Sequence, residues 1–301
     1  MKQESINLIE FQNKFTTEET CRDHLFRLRW LDGYRCPRCG NKQSYTLTKR
    51  CLYQCKRCGY QTFLTAGTVF HKTRTPLRKW LWMIFLMSQQ KCGVSMLSLQ
   101  QILGIRSYKS TWVMGHKTRK AMADRNAHYK LAGLIEMDDS YLGAPRTGKR
   151  GRGAGGKAKV IVAVENRGTK AGFATMCQVE QFGTEDLHHK FQGKLGPRCR
   201  IRTDGSKAYG VFETSESMHE PVILGSGKNA AKLLLWVHTL ISNIKGNIRG
   251  IYHGVSLKHL KLYLPEFCYR FNRRFWESQL FDRLLKACLC TTSITLSELR
   301  A

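Results

Sequence analysis

The chain has 301 residues, of which 42% are hydrophobic, and it carries 50 Lys+Arg against 22 Asp+Glu for a formal net charge of +28. That apolar content supports a folded core and excludes global disorder, and a basic excess spread along the whole length points to a polyanionic partner, DNA before any other. No apolar run reaches the ~18 residues of a membrane span, no long apolar helix carries a basic stripe for an anionic membrane surface, and the opening "MKQESINLIEFQNKF" does not read as a signal peptide.

The chain is therefore expected to be cytoplasmic and DNA-associated, with its 12 cysteines present as thiols or metal ligands. Residues 1–30 read as an N-terminal helical segment, "TEETCRDHLFRLRW", with Thr17 as N-cap three positions before Thr20. Residues 31–70 hold two knuckles, "CPRCG" with Cys36 and Cys39 and "CKRCG" with Cys55 and Cys58, fifteen residues apart. Each C-x-x-C turn aims two thiolates at one point, and two such turns close a tetrahedral Zn²⁺ site. Gly40 and Gly59 follow where a tight turn needs positive φ. Four protein ligands leave no open position, so the zinc is expected to be structural. The bases around it (Arg35, Arg38, Lys42, Lys49, Arg50, Lys56, Arg57) make the ribbon a DNA-touching module.

Residues 74–130 read as helices: "PLRKWLWMIFLMSQQ", "SMLSLQQILGI" and "SYKSTWVMGHKTRKAMADR". The last two have the form of a helix-turn-helix with Gly104 in the turn; an ordinary helical hairpin is the plainer reading. Leu97, Ile102, Leu103, Trp112 and Val113 are expected to face inward. Tyr108, Lys109, His116, Lys117, Arg119 and Lys120 are then left for phosphate or groove contacts.

Residues 131–301 alternate strand and helix patterns. Strands are expected at 134–142, 159–165, 172–180, 199–203 and 221–224, and helices at 184–194, about 230–246, and 256–274. Three sequential strands form an antiparallel meander, and a helical crossover adds a parallel strand. This is the element order of the ribonuclease-H-like α/β fold. The stretch "RTGKRGRGAGGKAK" from Arg146 to Lys159, with Arg150 and Arg152, is expected to be a DNA-holding hairpin tip or simply a solvated loop.

Carboxylates gather in "LIEMDDSYLGAP", where Glu136, Asp138 and Asp139 precede a stretch from Ser140 to Val164 without one acid. Acids in a phosphate-binding chain oppose the ligand unless they hold cations. A second acid, Asp204, ends a strand pattern in "CRIRTDGSKAYGVF" and is followed by Gly205. Paired ions about 4 Å apart activate a nucleophile and stabilise the leaving oxygen in phosphodiester chemistry. Taken singly, Asp204 reads as a turn-forming Asp-Gly and the Asp138–Asp139 pair as surface charge. Alternation puts Glu136 and Asp138 on one face and Asp139 on the other, and does not choose between them.

Beyond these readings, the chain resembles bacterial insertion-sequence transposases of the DDE type, in the branch with an N-terminal zinc ribbon and an ISXO2-like transposase domain. The resemblance rests on "RWLDGYRCPRCG", "CKRCGYQTFLTAGTVF", "SYKSTWVMGHKTR", "EMDDSYLG", "RTDGSKAY" and "IYHGVSLKHLKLYLPEFCYRFNRR", in order along most of the chain. It implies a ribonuclease-H-like catalytic domain over 131–301. There, two Mg²⁺ or Mn²⁺ ions support water attack on DNA and then attack by the freed 3′-hydroxyl on target DNA. Asp138 and Asp204 match the first two metal ligands.

The third ligand is commonly a Glu on the late helix, but "AAKLLLWVHTLISNIKGNIRG" contains no acid. His238, seven residues before Lys245 and on its face, occupies the expected slot; Asn243, in "SNIK", is its rival. Lys245 is expected on DNA phosphate, and Glu266 reads as structural. Paired DNA ends imply a homo-oligomer. The reading is a DNA transposase that cleaves and joins an insertion sequence. The alternatives are a stand-alone metal-dependent nuclease of this fold and a catalytically inactive zinc-ribbon DNA-binding regulator.

Overall fold

The structure, a computed structural model, describes residues 6–143, 156–214, 217–222 and 233–300. The chain packs as two units, one formed by Met1–Gln90, Met96–Met122 and Trp276–Ala301, the other by Lys91–Ser95 and Ala123–Phe275.

In the first unit, α1 (Leu8–Lys14) and α2 (Glu18–Arg29) each begin with a capping box, Asn7 with Glu10 and Thr17 with Thr20, as the sequence predicts for Thr17. β1 (Ser44–Leu47), β2 (Leu52–Cys55) and β3 (Gln61–Phe63) form an antiparallel sheet in the order β1-β2-β3. Phe26 and Trp30 pack against Tyr53 at 5.2 and 5.3 Å between ring centroids, the first tilted and the second edge-on. The expected boundary at residue 30 is therefore crossed by packing: α2 and the ribbon share one small core. Helix α3 (Leu77–Gln89) has Pro76 at its N-cap and no cap of its own. Glu18 of α2 supplies one, accepting from the amides of Leu77 (2.7 Å) and Arg78 (3.1 Å).

The hairpin of α4 (Met96–Leu103) and α5 (Tyr108–Asn126) turns at Gly104, whose φ is +55°. Its inward face differs from expectation. Met96 and Leu99, three residues apart, are buried, whereas Leu97 and Ile102 are 55% and 61% exposed. Trp112 and Val113 are only half-buried. The buried stripe of α5 runs through Thr111, Met114, Gly115 and Thr118 instead. A Cβ at Gly115 would lie 2.1 Å from the Met96 sulfur, so the glycine is what lets α4 and α5 approach.

In the second unit, β4 (Leu134–Leu142), β5 (Ala158–Asn166), β6 (Ala171–Val179), β7 (Cys199–Thr203) and β8 (Ser217–Pro221) form a mixed sheet, with α6 (Thr184–Phe191) between β6 and β7. The order is β6-β5-β4-β7-β8, with β5 antiparallel to both neighbours and β7 and β8 parallel to β4. Helices α7 (Leu235–Gly250) and α8 (Leu257–Asn272) cover the face built by Val160, Val162, Val164 and Met176. Helix α6, with Tyr209 and Phe212, covers the opposite face of Ile135, Met137, Ile161 and Ile201. Alternation thus does what it should in a sheet buried on both sides.

Strand β8 lies at 217–221 and not at 221–224. It is an edge strand with Met218 55% exposed, so no apolar run marks it; the apolar "PVIL" that suggested a strand only begins where β8 ends, and residues 223–232 lie outside the described ones. The opposite edge, β6, is closed by Asn272, whose side chain exchanges hydrogen bonds with the Ala174 amide (2.7 Å) and carbonyl (2.9 Å).

The last helices, α9 (Leu280–Cys290) and α10 (Leu296–Arg300), return to the first unit, where α9 packs on α3. Phe281 meets Phe11 at 5.1 Å and Phe85 at 6.1 Å, and Asp282 holds His24 at 3.0 Å. A single domain over 131–301 is therefore not what packs: the unit that holds the mixed sheet ends at Phe275. The strongly amphipathic α9 buries Leu284, Leu285 and Cys288 against the N-terminal helices.

Candidate functional site

The two knuckles converge as their spacing requires. Cys36, Cys39, Cys55 and Cys58 bring their sulfurs within 4.8 Å of one another. Cys36 and Cys58, and Cys39 and Cys55, stand 3.6 Å apart. Zn–S bonds of ~2.3 Å in a tetrahedron imply sulfurs about 3.8 Å apart, so the cluster fits a zinc ion. Each knuckle closes the same way. Gly40 donates to the Cys36 carbonyl and Gly59 to that of Cys55, both at 3.0 Å, with φ of +70° and +68°. Burial pushes the Cys55 thiol up, but the amides of Cys58 and Arg57 and the Asn41 side chain outweigh it and bring its pKa to about 6, which favours the thiolate a metal needs.

The second cluster arises from strands of unequal length. β4 pairs with β7 only through Leu134, Ile135 and Glu136. Beyond Glu136 its edge runs past the end of β7, and Asp204, the residue after β7, sits in that gap. Asp138 faces the α7 side, opposite Val162, and Asp139 faces the α6 side, opposite Ile161. From opposite faces they nonetheless reach Asp204 round the open edge: Asp138, Asp139 and Asp204 each place an oxygen within 4.8 Å of the others. Asp204 is held by an Asx turn to the Ser206 amide (3.1 Å), and Asp138 accepts from the Asp139 amide (2.8 Å). A cavity of about 210 Å³ lined by Asp139, Phe182, Ser206, Ala208 and Tyr209 opens on the α6 side.

Electrostatically the cluster asks for a cation. Burial, reinforced by the charges of Asp139 and Asp204, raises the Asp138 carboxyl to about 7, against the opposing pull of the Asp139 amide and of Lys245. Three acids at one point with one of them so perturbed suit one or two divalent ions. His238 adjoins them, its Nδ1 3.5 Å from Asp138 Oδ2. Its Nε2 is buried and makes no hydrogen bond among the described residues. Asn243 is exposed farther along α7, about 1.4 turns beyond His238. Of the two rivals, the structure brings His238 to Asp138.

Glu136 belongs to the same neighbourhood in another capacity. It is fully buried, and its carboxylate accepts from the amides of Trp236 (2.7 Å) and Val237 (2.9 Å) and from Asn166 Nδ2 (2.7 Å).

The basic residues divide. Lys109 and Lys245 are exposed, and Lys120 is half-buried. Lys117 is half-buried, and burial lowers its pKa. Arg119 and His116 are fully buried, which corrects the expectation that they present a DNA-facing surface: they lie on the packed face of α5. Arg150 and Arg152 lie outside the described residues. Glu266 forms a buried ion pair with Arg270 and accepts from Tyr252 (3.1 Å), in keeping with a structural role. Asp139 is the site residue the sequence did not single out. Its only local signal was adjacency to Asp138; the open strand edge that makes it a partner is a property of the sheet.

A four-cysteine ribbon joined to a mixed α/β sheet with a carboxylate cluster at its strand ends defines the class, a zinc-ribbon protein with a mixed α/β domain that carries an acidic cluster. The comparisons make this particular. Residues 16–61 match the transposase zinc-ribbon domain, and residues 130–272 match the ISXO2-like transposase domain. The chain belongs to the transposases that combine these two domains. It is similar to an uncharacterized protein in transposable element ISH50 of Halobacterium salinarum, 24% identical over 234 residues, which are 71% of this chain and 76% of that protein. No helix among the described residues is long and apolar enough to cross a membrane.

Proposed function

We propose that the protein catalyses divalent-metal-dependent cleavage of DNA at the ends of an insertion sequence and transfer of those ends to target DNA. The observation that carries the reading is the meeting of Asp138, Asp139 and Asp204 at the end of β7, beside His238. The sheet order, with its second strand antiparallel and its fourth and fifth parallel to the first, supports a ribonuclease-H-like domain. The three aspartates would hold Mg²⁺ or Mn²⁺, with His238 beside them. When bound, such ions supply a nucleophile at neutral pH and neutralise charge that develops on phosphate. Lys245, exposed on the helix that carries His238, holds DNA phosphate near the acids. Zn²⁺ in the cysteine cluster fixes the ribbon. The ribbon and the α4–α5 hairpin bind the element's ends through exposed bases such as Lys56, Arg57 and Lys109.

The test is incubation of the full chain with duplex DNA carrying the element's own ends, in Mg²⁺ or Mn²⁺, beside Asp138→Ala and Asp204→Ala. Cleavage followed by joining is expected of the unmutated chain and of neither variant. Cleavage without joining would favour a nuclease, binding without cleavage a regulator, and cleavage that survives either substitution would remove the assigned site.

A further inference from the structure

Helix α7 carries His238, yet nothing in its own sequence caps it: Leu234 stands at the N-cap and no side chain of the helix's own first turn or of its cap satisfies the first amides. Two of those amides, from Trp236 and Val237, end on one carboxylate oxygen of Glu136, at 2.7 and 2.9 Å. The other oxygen accepts from Asn166 on β5 at 2.7 Å. Glu136 is fully buried, in the middle of the sheet, two residues before Asp138 and on the same face of β4. A buried carboxylate with every bond directed is costly to misplace, because both it and the helix amides would lose partners where no water reaches them. It also carries its charge to the positive end of the helix.

From this arrangement we infer that Glu136 is the positioning residue of the acidic site: it pins the first turn of α7 to the strand that bears Asp138, and so sets the distance and facing of His238 against that aspartate. One strand thus carries both the anchor of the helix and the group the helix must meet. His238 follows Val237 directly, so a slip of the first turn moves its ring relative to Asp138 Oδ2, which it adjoins at 3.5 Å. Lys245 rides on the same helix, two turns on, and is displaced with it. Among the described residues, the cap that Glu18 lends to α3 is likewise borrowed from a distant acid, but it leads to no such cluster. Glu136 makes no contact with the reacting groups in this reading and acts through α7. The inference rests on the proposed reaction for its catalytic consequence, not for the cap itself.

The experiment is a double-mutant cycle on the full chain with Glu136→Gln, His238→Ala and the double variant. Glu136→Gln keeps the shape and one acceptor oxygen, so the sheet is retained, and equal melting temperatures are checked first. Displacement on the scale of an ångström reduces rate by about a hundredfold. A comparable loss is expected for Glu136→Gln alone, with little further loss when it is added to His238→Ala. Losses that multiply would overturn the inference, since a purely structural residue acts independently of His238. A second readout needs no turnover. In metal-free ¹⁵N-histidine protein, the His238 ring nitrogen shifts are expected to move in Glu136→Gln while those of the other histidines stay in place; an unmoved His238 signal would overturn it. Should the unmutated chain neither cleave DNA nor bind Mn²⁺, the proposed function fails by itself. The anchor is then judged by amide exchange at Trp236 and Val237, expected to be about tenfold faster in Glu136→Gln, and unchanged exchange would overturn it.

Discussion

Asp138 shows how one side chain carries both a cost and a purpose. Its carboxyl is raised to about 7 by burial and by the two neighbouring aspartates. An acid whose folded pKa exceeds its unfolded value, here 3.8, binds more protons folded than unfolded between those limits. Without metal, its contribution to stability therefore falls as pH rises from about 4 to about 7 and stays low above that. Asp138→Asn, which does not ionise, should stabilise the metal-free protein by about 1–3 kcal/mol at pH 8 and by little near pH 4. Thermal melts of both proteins across that range would show it; an advantage independent of pH would mean that burial and the neighbouring acids do not raise the Asp138 carboxyl. Adding Mn²⁺ at pH 8 should raise the melting temperature of the unmutated chain and have a smaller effect on Asp138→Asn. Gly40 makes a second prediction at this scale. At φ +70° an L side chain is strained, so Gly40→Ala should weaken the ribbon by about 1–2 kcal/mol. It should also speed zinc release to a chelator, followed by a colorimetric dye.

Among the elements, legibility followed the reach of the signal. Strands β4 to β7 were readable because each has its own alternation or apolar run, and their bounds fall within a residue or so of the pattern. The knuckles were readable because four cysteines and two glycines specify a local geometry that no distant partner need supply. At the acidic site Asp204 and His238 were named beside Asp138, but Asp139 and the anchor of the helix were not. Asp139 belongs to the face opposite Asp138, and only the early end of β7 lets the two meet. The start of α7 carries no local cap, because its cap is Glu136, one hundred residues earlier. The α4–α5 hairpin was recognised as a pair of helices but faced wrongly, since the close approach at Gly115 makes Met96 and Leu99 the inward pair. Leu99→Ala should consequently destabilise by about 2–5 kcal/mol. Leu97→Ser, by contrast, should stay within about 0.5 kcal/mol of the unmutated chain. Denaturant melts of the two variants rank the faces directly, and equal losses would contradict the packing described.

At the scale of the whole molecule, the first unit is built from both ends of the described chain and the second from its middle. Phe281, Leu284, Leu285 and Cys288 are buried against helices some two hundred residues or more earlier in the sequence. Each large apolar side chain among them contributes about 1.5–3 kcal/mol by burial. Removing residues 276–301 should abolish or sharply lower the melting of the N-terminal unit while leaving the mixed sheet's transition in place. Calorimetry together with limited proteolysis distinguishes the two; a protease-resistant N-terminal unit in the shortened chain would show that α9 is dispensable. Prediction of one domain over 131–301 failed at this level, because a shared core between distant segments leaves no mark in either segment alone.

The return of α9 also fixes an order of events during synthesis. The segment 123–275 leaves the ribosome with every described strand of its sheet and both covering helices, and can close its core at once. The zinc-ribbon unit is translated first but waits, with Phe11, Phe15 and Phe85 lacking their cover, until α9 emerges. A ribosome that stalls or terminates after α8 would release a chain with its acidic cluster assembled and the N-terminal helices uncovered. The unit proposed to recognise DNA is therefore completed only after the unit proposed to cut it has been made, so finished recognition reports a chain translated through α9.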